Sequence, residues 1–192
     1  MRLRRPSLKF RLLAMGVAVL LIAWFLVKPV RVLAPEFAGV SCLSASVCVD
    51  DAARLPEAAG LYAEGMAFVP GALGAIEGTP RMIFCASQAC ADSFGLGARS
   101  AVTLGTLGTV IGPRAWKPFY VRHELIHYAQ AERLGTLSLL FKPAWFVEGM
   151  AYALSQDPRA PLTEPFEGHR ARFLAWYGGV GKPSLWQAAR AL

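Results

Sequence analysis

The sequence predicts an α+β fold: an N-terminal transmembrane helix, then a small domain with a short β-sheet and a mainly helical half. Three observations carry that expectation. One apolar run stands alone near the N-terminus, short β-branched stretches punctuated by glycine occupy the middle, and helical periodicity dominates the C-terminal half.

The apolar run is "LLAMGVAVLLIAWFLV", Leu12 to Val27, bounded by Arg11 and Lys28. Sixteen helical residues reach about 24 Å at ~1.5 Å each, against a hydrocarbon core about 30 Å thick, so the flanking cations would have to snorkel to complete the span. Of the 20 Lys/Arg, seven precede the first acidic residue, Glu36; from Val32 onward 13 Lys/Arg face 13 Asp/Glu. The net charge of +7 is therefore N-terminal, which argues against nucleic acid as a partner. It fits the positive-inside rule: residues 1–11 a cytoplasmic tail, 12–27 an uncleaved single-pass anchor in the membrane, and 28–39 a linker. Residues 40–192 would then form an extracytoplasmic domain. Pro35 after Ala34 disfavours cleavage there by a signal peptidase.

Four cysteines lie beyond the run in two close pairs, Cys42/Cys48 and Cys85/Cys90. Neither spacing is a CxxC knuckle, so disulfides within each pair are expected rather than a thiolate metal site.

The domain's elements follow in order. "VDDAARLPEAAGLYAEGMAFVPGAL" reads as mostly helical, with Asp50 or Asp51 as the N-cap and an apolar face at Leu55, Ala59, Tyr62, Met66 and Val69. "RMIFCAS" reads as a buried strand and "ACADSFGL" as a short helix. "SAVTLGTLGTVIGPRAW" reads as an edge strand or hairpin, closing at Gly112-Pro113. Helices are expected over Lys117–Leu134, Ala144–Ser155 and roughly Glu167–Tyr177. A last helix should begin at Ser184.

The Lys117–Leu134 segment carries the chemistry. "HELIH" places His123 and His127 four residues apart, on one helix face, where both imidazoles can reach one ion. Glu124 is rotated by roughly 100° from His123 and can serve as a general base without ligating. A catalytic zinc site wants a third protein ligand. Glu148 is the candidate, because it sits between Phe146, Val147 and Met150, where a carboxylate needs a partner. Asp157 and Glu164 are the alternatives. Tyr120, His169, Arg170 and Tyr177 form a reserve of polar groups for the rim.

HExxH followed about twenty residues later by "WFVEGMA" resembles the gluzincin metallopeptidases of the MA clan, in particular small peptidase MA-like domains. The likeness is strongest over Val121–Ser155 and extends back to Arg81. It implies Zn²⁺ on His123, His127 and Glu148, with Glu124 as catalytic base and peptide or protein as substrate. Two features depart from the family: Ala153 stands where an aromatic is common, with Tyr152 one position earlier, and the chain is short. The expected function is a membrane-anchored zinc metallopeptidase of the cell envelope. The alternative is a zinc-binding but catalytically silent envelope domain acting through protein contacts.

Overall fold

A computed structural model describes residues 7–192; the basic cluster Arg2, Arg4 and Arg5 lies outside the described residues. Helix α1 spans Leu8–Leu26. Strands β1 (Ser41–Cys42) and β2 (Val47–Val49) precede helix α2 (Leu55–Leu73), and β3 (Met82–Phe84) leads into α3 (Gln88–Ser93). Strands β4 (Ala101–Thr103) and β5 (Thr109–Ile111) form a hairpin, followed by α4 (Pro118–Leu134), α5 (Thr136–Leu139), α6 (Ala144–Leu154) and α7 (Phe166–Arg190).

Two expectations are corrected. Among the described residues no helix is long and apolar enough to cross a membrane. The first turn of α1 takes in Lys9 and Arg11, and the apolar run beyond them falls short of the hydrocarbon thickness. The N-terminal transmembrane anchor and the single-pass, extracytoplasmic placement built on it are therefore withdrawn. The fold is a mixed α/β structure, 62% helical, around a five-stranded sheet, rather than α+β behind an anchor. The sheet order is β1-β2-β3-β5-β4, and the central strands β2, β3 and β5 run parallel. Parallel neighbours need crossovers, which α2 supplies between β2 and β3. The strands β1 and β2 have only two and three residues, too few to show a period in the sequence.

Alternation along the strands divides the core. Val47, Val49, Met82, Phe84 and Ile111 face α2, α4, α6 and α7 in the larger cluster. Cys48, Ile83 and Val110 face the other way, onto Phe94, Leu96 and the N-terminal segment. Residues 28–38, expected as a linker, form two 3₁₀ turns packed on that second face, with Val32 and Pro35 buried. Arg31 Nη1 donates to the Ser93 carbonyl (2.8 Å) and Lys28 Nζ to that of Asp92 (3.0 Å). Both disulfides lie there too: Cys42–Cys48 joins β1 to β2, and Cys85–Cys90 joins the end of β3 to α3. They fit an oxidising compartment.

Asp51 caps the turn entering α2 by accepting from the Ala53 amide. Asp50 instead reaches the Ala86 and Ser87 amides and the Ser87 hydroxyl. The two expected C-terminal helices run on as α7, broken at Gly181, whose φ of 70° and ψ of 162° require glycine. Gly149 of α6 admits α7 closely, since a Cβ there would meet the His169 carbonyl oxygen at 2.3 Å.

Candidate metal centre

One turn of α4 brings the two imidazoles onto the same face. Their rings stand 4.8 Å apart at 77°, with the two Nε2 atoms 3.1 Å from each other. Helix α6 packs against α4 and presents Glu148, whose Oε2 lies 3.7 Å from His123 Nε2 and whose Oε1 lies 3.8 Å from His127 Nε2. One donor atom from each of the three falls within 4.8 Å of the others. Gly149 turns its bare face to α7, so the close approach it permits is not the one that sets Glu148 against α4.

Gln130, fully buried on the same helix, fixes the ligand chemistry of His127. Its Nε2 donates to the Val147 carbonyl (2.9 Å), so its Oε1 must be the atom 2.9 Å from His127 Nδ1. An amide oxygen only accepts, so the imidazole proton sits on Nδ1 and the Nε2 lone pair faces the cluster. Val147 adjoins Glu148, so one side chain ties a histidine to the helix that supplies the carboxylate.

Burial holds the His123 imidazole well below its ordinary pKa, with His127 and Arg159 adding repulsion. It is therefore neutral near pH 7, with one ring N–H and one nitrogen lone pair. With its proton on Nε2, His123 donates to the His127 lone pair across the 3.1 Å between them; with the proton on Nδ1, both lone pairs face a cation. Nitrogens bound at ~2.0–2.1 Å to one tetrahedral ion stand about 3.3 Å apart, which this pair nearly matches. His123, His127 and Glu148 thus form a group that could hold a metal ion.

Glu124 lines the same cleft as that group and is held by the hairpin. Thr103 Oγ1 donates to Glu124 Oε2 at 2.7 Å and lies 2.9 Å from Thr109 Oγ1, its cross-strand partner. A hydroxyl has one proton; spent on the carboxylate, it leaves Thr103 to accept from Thr109. Burial raises the Glu124 pKa, while His127 and the Thr103 hydrogen bond pull it back.

These groups line a cleft of about 800 Å³ with β4 along one wall and Tyr120, Tyr152, Arg159 and Phe166 along another. The chain matches no family model, no curated protein and no solved structure.

Of the reserve residues, Tyr120 lines the cleft; His169, Arg170 and Tyr177 do not. Asp157 is engaged by Arg159, and Glu164 accepts from the Gly168 amide (3.3 Å). Glu132 binds the Glu77 and Gly78 amides, at 3.0 and 2.7 Å. The residues sequence reasoning missed are Gln130, Thr103, Thr109 and Arg159. Gln130 had a signal, since three residues past His127 is a helix-neighbour spacing. The others are brought in by the tertiary fold.

Proposed function

We propose that this chain is a zinc-dependent metallopeptidase of the gluzincin kind, with His123, His127 and Glu148 as ligands and Glu124 as general base. The observation that carries the reading is one cleft holding both a three-donor group and a buried carboxylate locked beside it. Two imidazoles and a carboxylate suit zinc. When bound, zinc supplies a Lewis acid that polarises a carbonyl and acidifies water.

The chain's own residues divide the remaining work. Thr103 occupies Oε2 of Glu124, leaving Oε1 to take a proton from attacking water and return it to the leaving amine nitrogen. Burial raises the affinity of that carboxylate for the proton it must hold between the two transfers. Strand β4 is a sheet edge along the cleft. Its ladder bonds to β5 run from Leu104 N to Gly108 O and from Gly112 N to Ser100 O, so the alternating groups of Ala101 and Thr103 face off the edge. An extended peptide could add there as a further strand, which favours peptide over other carbonyl substrates.

The test separates ligand from base. Glu148→Ala should lose zinc and activity together. Glu124→Gln should keep close to one zinc per chain while peptide cleavage drops by about 10²–10⁴-fold. Metal analysis and cleavage of a quenched peptide library read the two quantities. Zinc lost equally from Glu124→Gln and His123→Ala would place Glu124 among the ligands and reject the mechanism. A loaded wild-type protein that cleaves no peptide would reject the peptidase reading.

A further inference from the structure

The wall of the cleft opposite β4 carries a cation that the proposed hydrolysis does not use. Arg159, in the loop between α6 and α7, is fixed from several sides. Its Nε donates to Asp157 Oδ1 (2.9 Å), its Nη2 binds Asp157 Oδ2, and its Nη1 donates to the Tyr120 hydroxyl (3.1 Å). Its own amide donates to Asp157 Oδ1 (3.0 Å), and Arg170 Nη1 donates to its carbonyl (3.0 Å). Its guanidinium carbon stands 4.9 Å from the Tyr120 ring centre and 5.8 Å from that of Tyr152. Tyr152 in turn lies 4.5 Å, ring to ring, from His123.

The ion pair is lopsided. The Asp157 side chain is 1% exposed and the Arg159 side chain 41%, so the anion is buried behind while the cation looks into the cleft. Three of five guanidinium N–H groups are engaged, leaving one on each of Nη1 and Nη2. A held, planar pair of donors matches a carboxylate at little further entropic cost. With a tyrosine ring between it and His123, Arg159 is placed to read a group beside the reacting bond rather than the reacting carbonyl itself.

We propose that Arg159, held by Asp157 and Tyr120, is a specificity-determining residue that binds a carboxylate of the substrate next to the cleaved bond. This rests on the peptidase reading for what is cleaved, but not for what is bound. The carboxylate has two sources, a free C-terminus or an acidic side chain.

Three fluorescent peptides of one apolar sequence distinguish them: a free acid, its C-terminal amide, and the amide with glutamate at the penultimate position. Anisotropy titration uses zinc-loaded, full-length Glu124→Gln protein, so binding is read without turnover. One of the two charged peptides should bind about tenfold or more tighter than the neutral amide, as a charge-assisted pair implies. The charged peptide that binds tighter identifies the source. In Arg159→Gln that ratio should fall below about two, and Arg159→Lys should restore part of it, since lysine keeps the charge without the fork. If Arg159→Gln leaves Asp157 unpaired and fails to fold, Arg159→Lys and the wild-type ratio still decide. Equal binding of all three peptides, or of none, overturns the proposal, as does a preference that survives Arg159→Gln. Retained preference with no cleavage by the wild-type protein would reject the peptidase reading and leave the carboxylate site standing.

Discussion

The two faces of the sheet are held by different means. On the face under residues 28–40, two disulfides, Asp50 and the Arg31 and Lys28 contacts pin short, irregular segments together. On the other face, α2, α4, α6 and α7 close over a continuous apolar core, and no covalent link ties them. The candidate metal centre belongs to this second face. Its donors come from α4 and α6, joined by packing, by the Gln130 bridge and, at the far end, by Arg122 donating to the Ser155 carbonyl. Two imidazoles and a carboxylate gathered at one point suit a cation. One face is strapped by the chain's own bonds; the other rests on packing and gathers donors that could hold a cation.

The largest expected effect is that of the metal on stability. Metal that binds the folded chain and not the unfolded one should stabilise it by about 4 kcal/mol at free metal 1,000-fold above Kd. Urea unfolding with zinc and with chelator measures this. Hydrogen exchange should place the gain in α4 and α6, not in β1 or α3. Glu148→Ala should abolish the difference. Gln130→Ala should weaken metal affinity by about 10–100-fold, because the His127 tautomer and ring orientation lose their acceptor. Equal stability with and without metal would mean the helical face is as self-sufficient as the strapped one.

The contrast also explains what the sequence disclosed. His123, Glu124, His127 and the helix beneath them were legible because their relation is set by one helix turn, which spacing alone defines. Glu148 could be nominated because a carboxylate among Phe146, Val147 and Met150 stands out. Thr103 and Thr109 could not, since Thr103 meets Glu124, and Thr109 meets Thr103, only after β4 pairs with β5 and packs on α4. The same holds for Arg159, whose partner Asp157 read as a rival ligand. Strands β1 and β2 were missed because two or three residues show no period, and with them the parallel arrangement. The apolar run misled because its shortfall in length was closed by snorkelling of Arg11 and Lys28, whereas among the described residues no helix is long and apolar enough to cross a membrane.

A middle-sized effect sharpens the comparison from the strapped side. Each disulfide closes a loop of only five or six residues, so chain entropy gives about 2 kcal/mol apiece. Replacing Cys85 and Cys90 by alanine should lower unfolding free energy by about that much and speed exchange in α3. Zinc content should stay near one per chain, because the donors sit across the sheet. Metal lost in step with this disulfide would show that the two faces are one cooperative structure at the site.

The smallest effect tests the polar strap at Asp50. Burial pushes its carboxyl up, but donation from the Ala86 amide, then the Ser87 hydroxyl and Ser87 amide, outweighs this and leaves its pKa below the ordinary 3.8. A carboxylate whose folded pKa is depressed binds fewer protons folded than unfolded. Its contribution is therefore fully present above 3.8 and is lost as pH falls through the lower folded value. Asp50→Asn keeps the shape and one acceptor oxygen but removes the charge, so it should cost about 1 kcal/mol at pH 7, at the low end for a partly solvated group. Measured on metal-free protein, to keep histidine protonation out of the metal equilibrium, the gap between wild type and variant should stay flat from pH 7 to about 5 and narrow below 3.8. Exchange of the Ala86 and Ser87 amides should quicken in the variant, while those of α4 should not. A gap that widened in acid would reverse the sign and mean that the wild-type Asp50 carboxyl takes up its proton more readily in the folded chain than in the unfolded one.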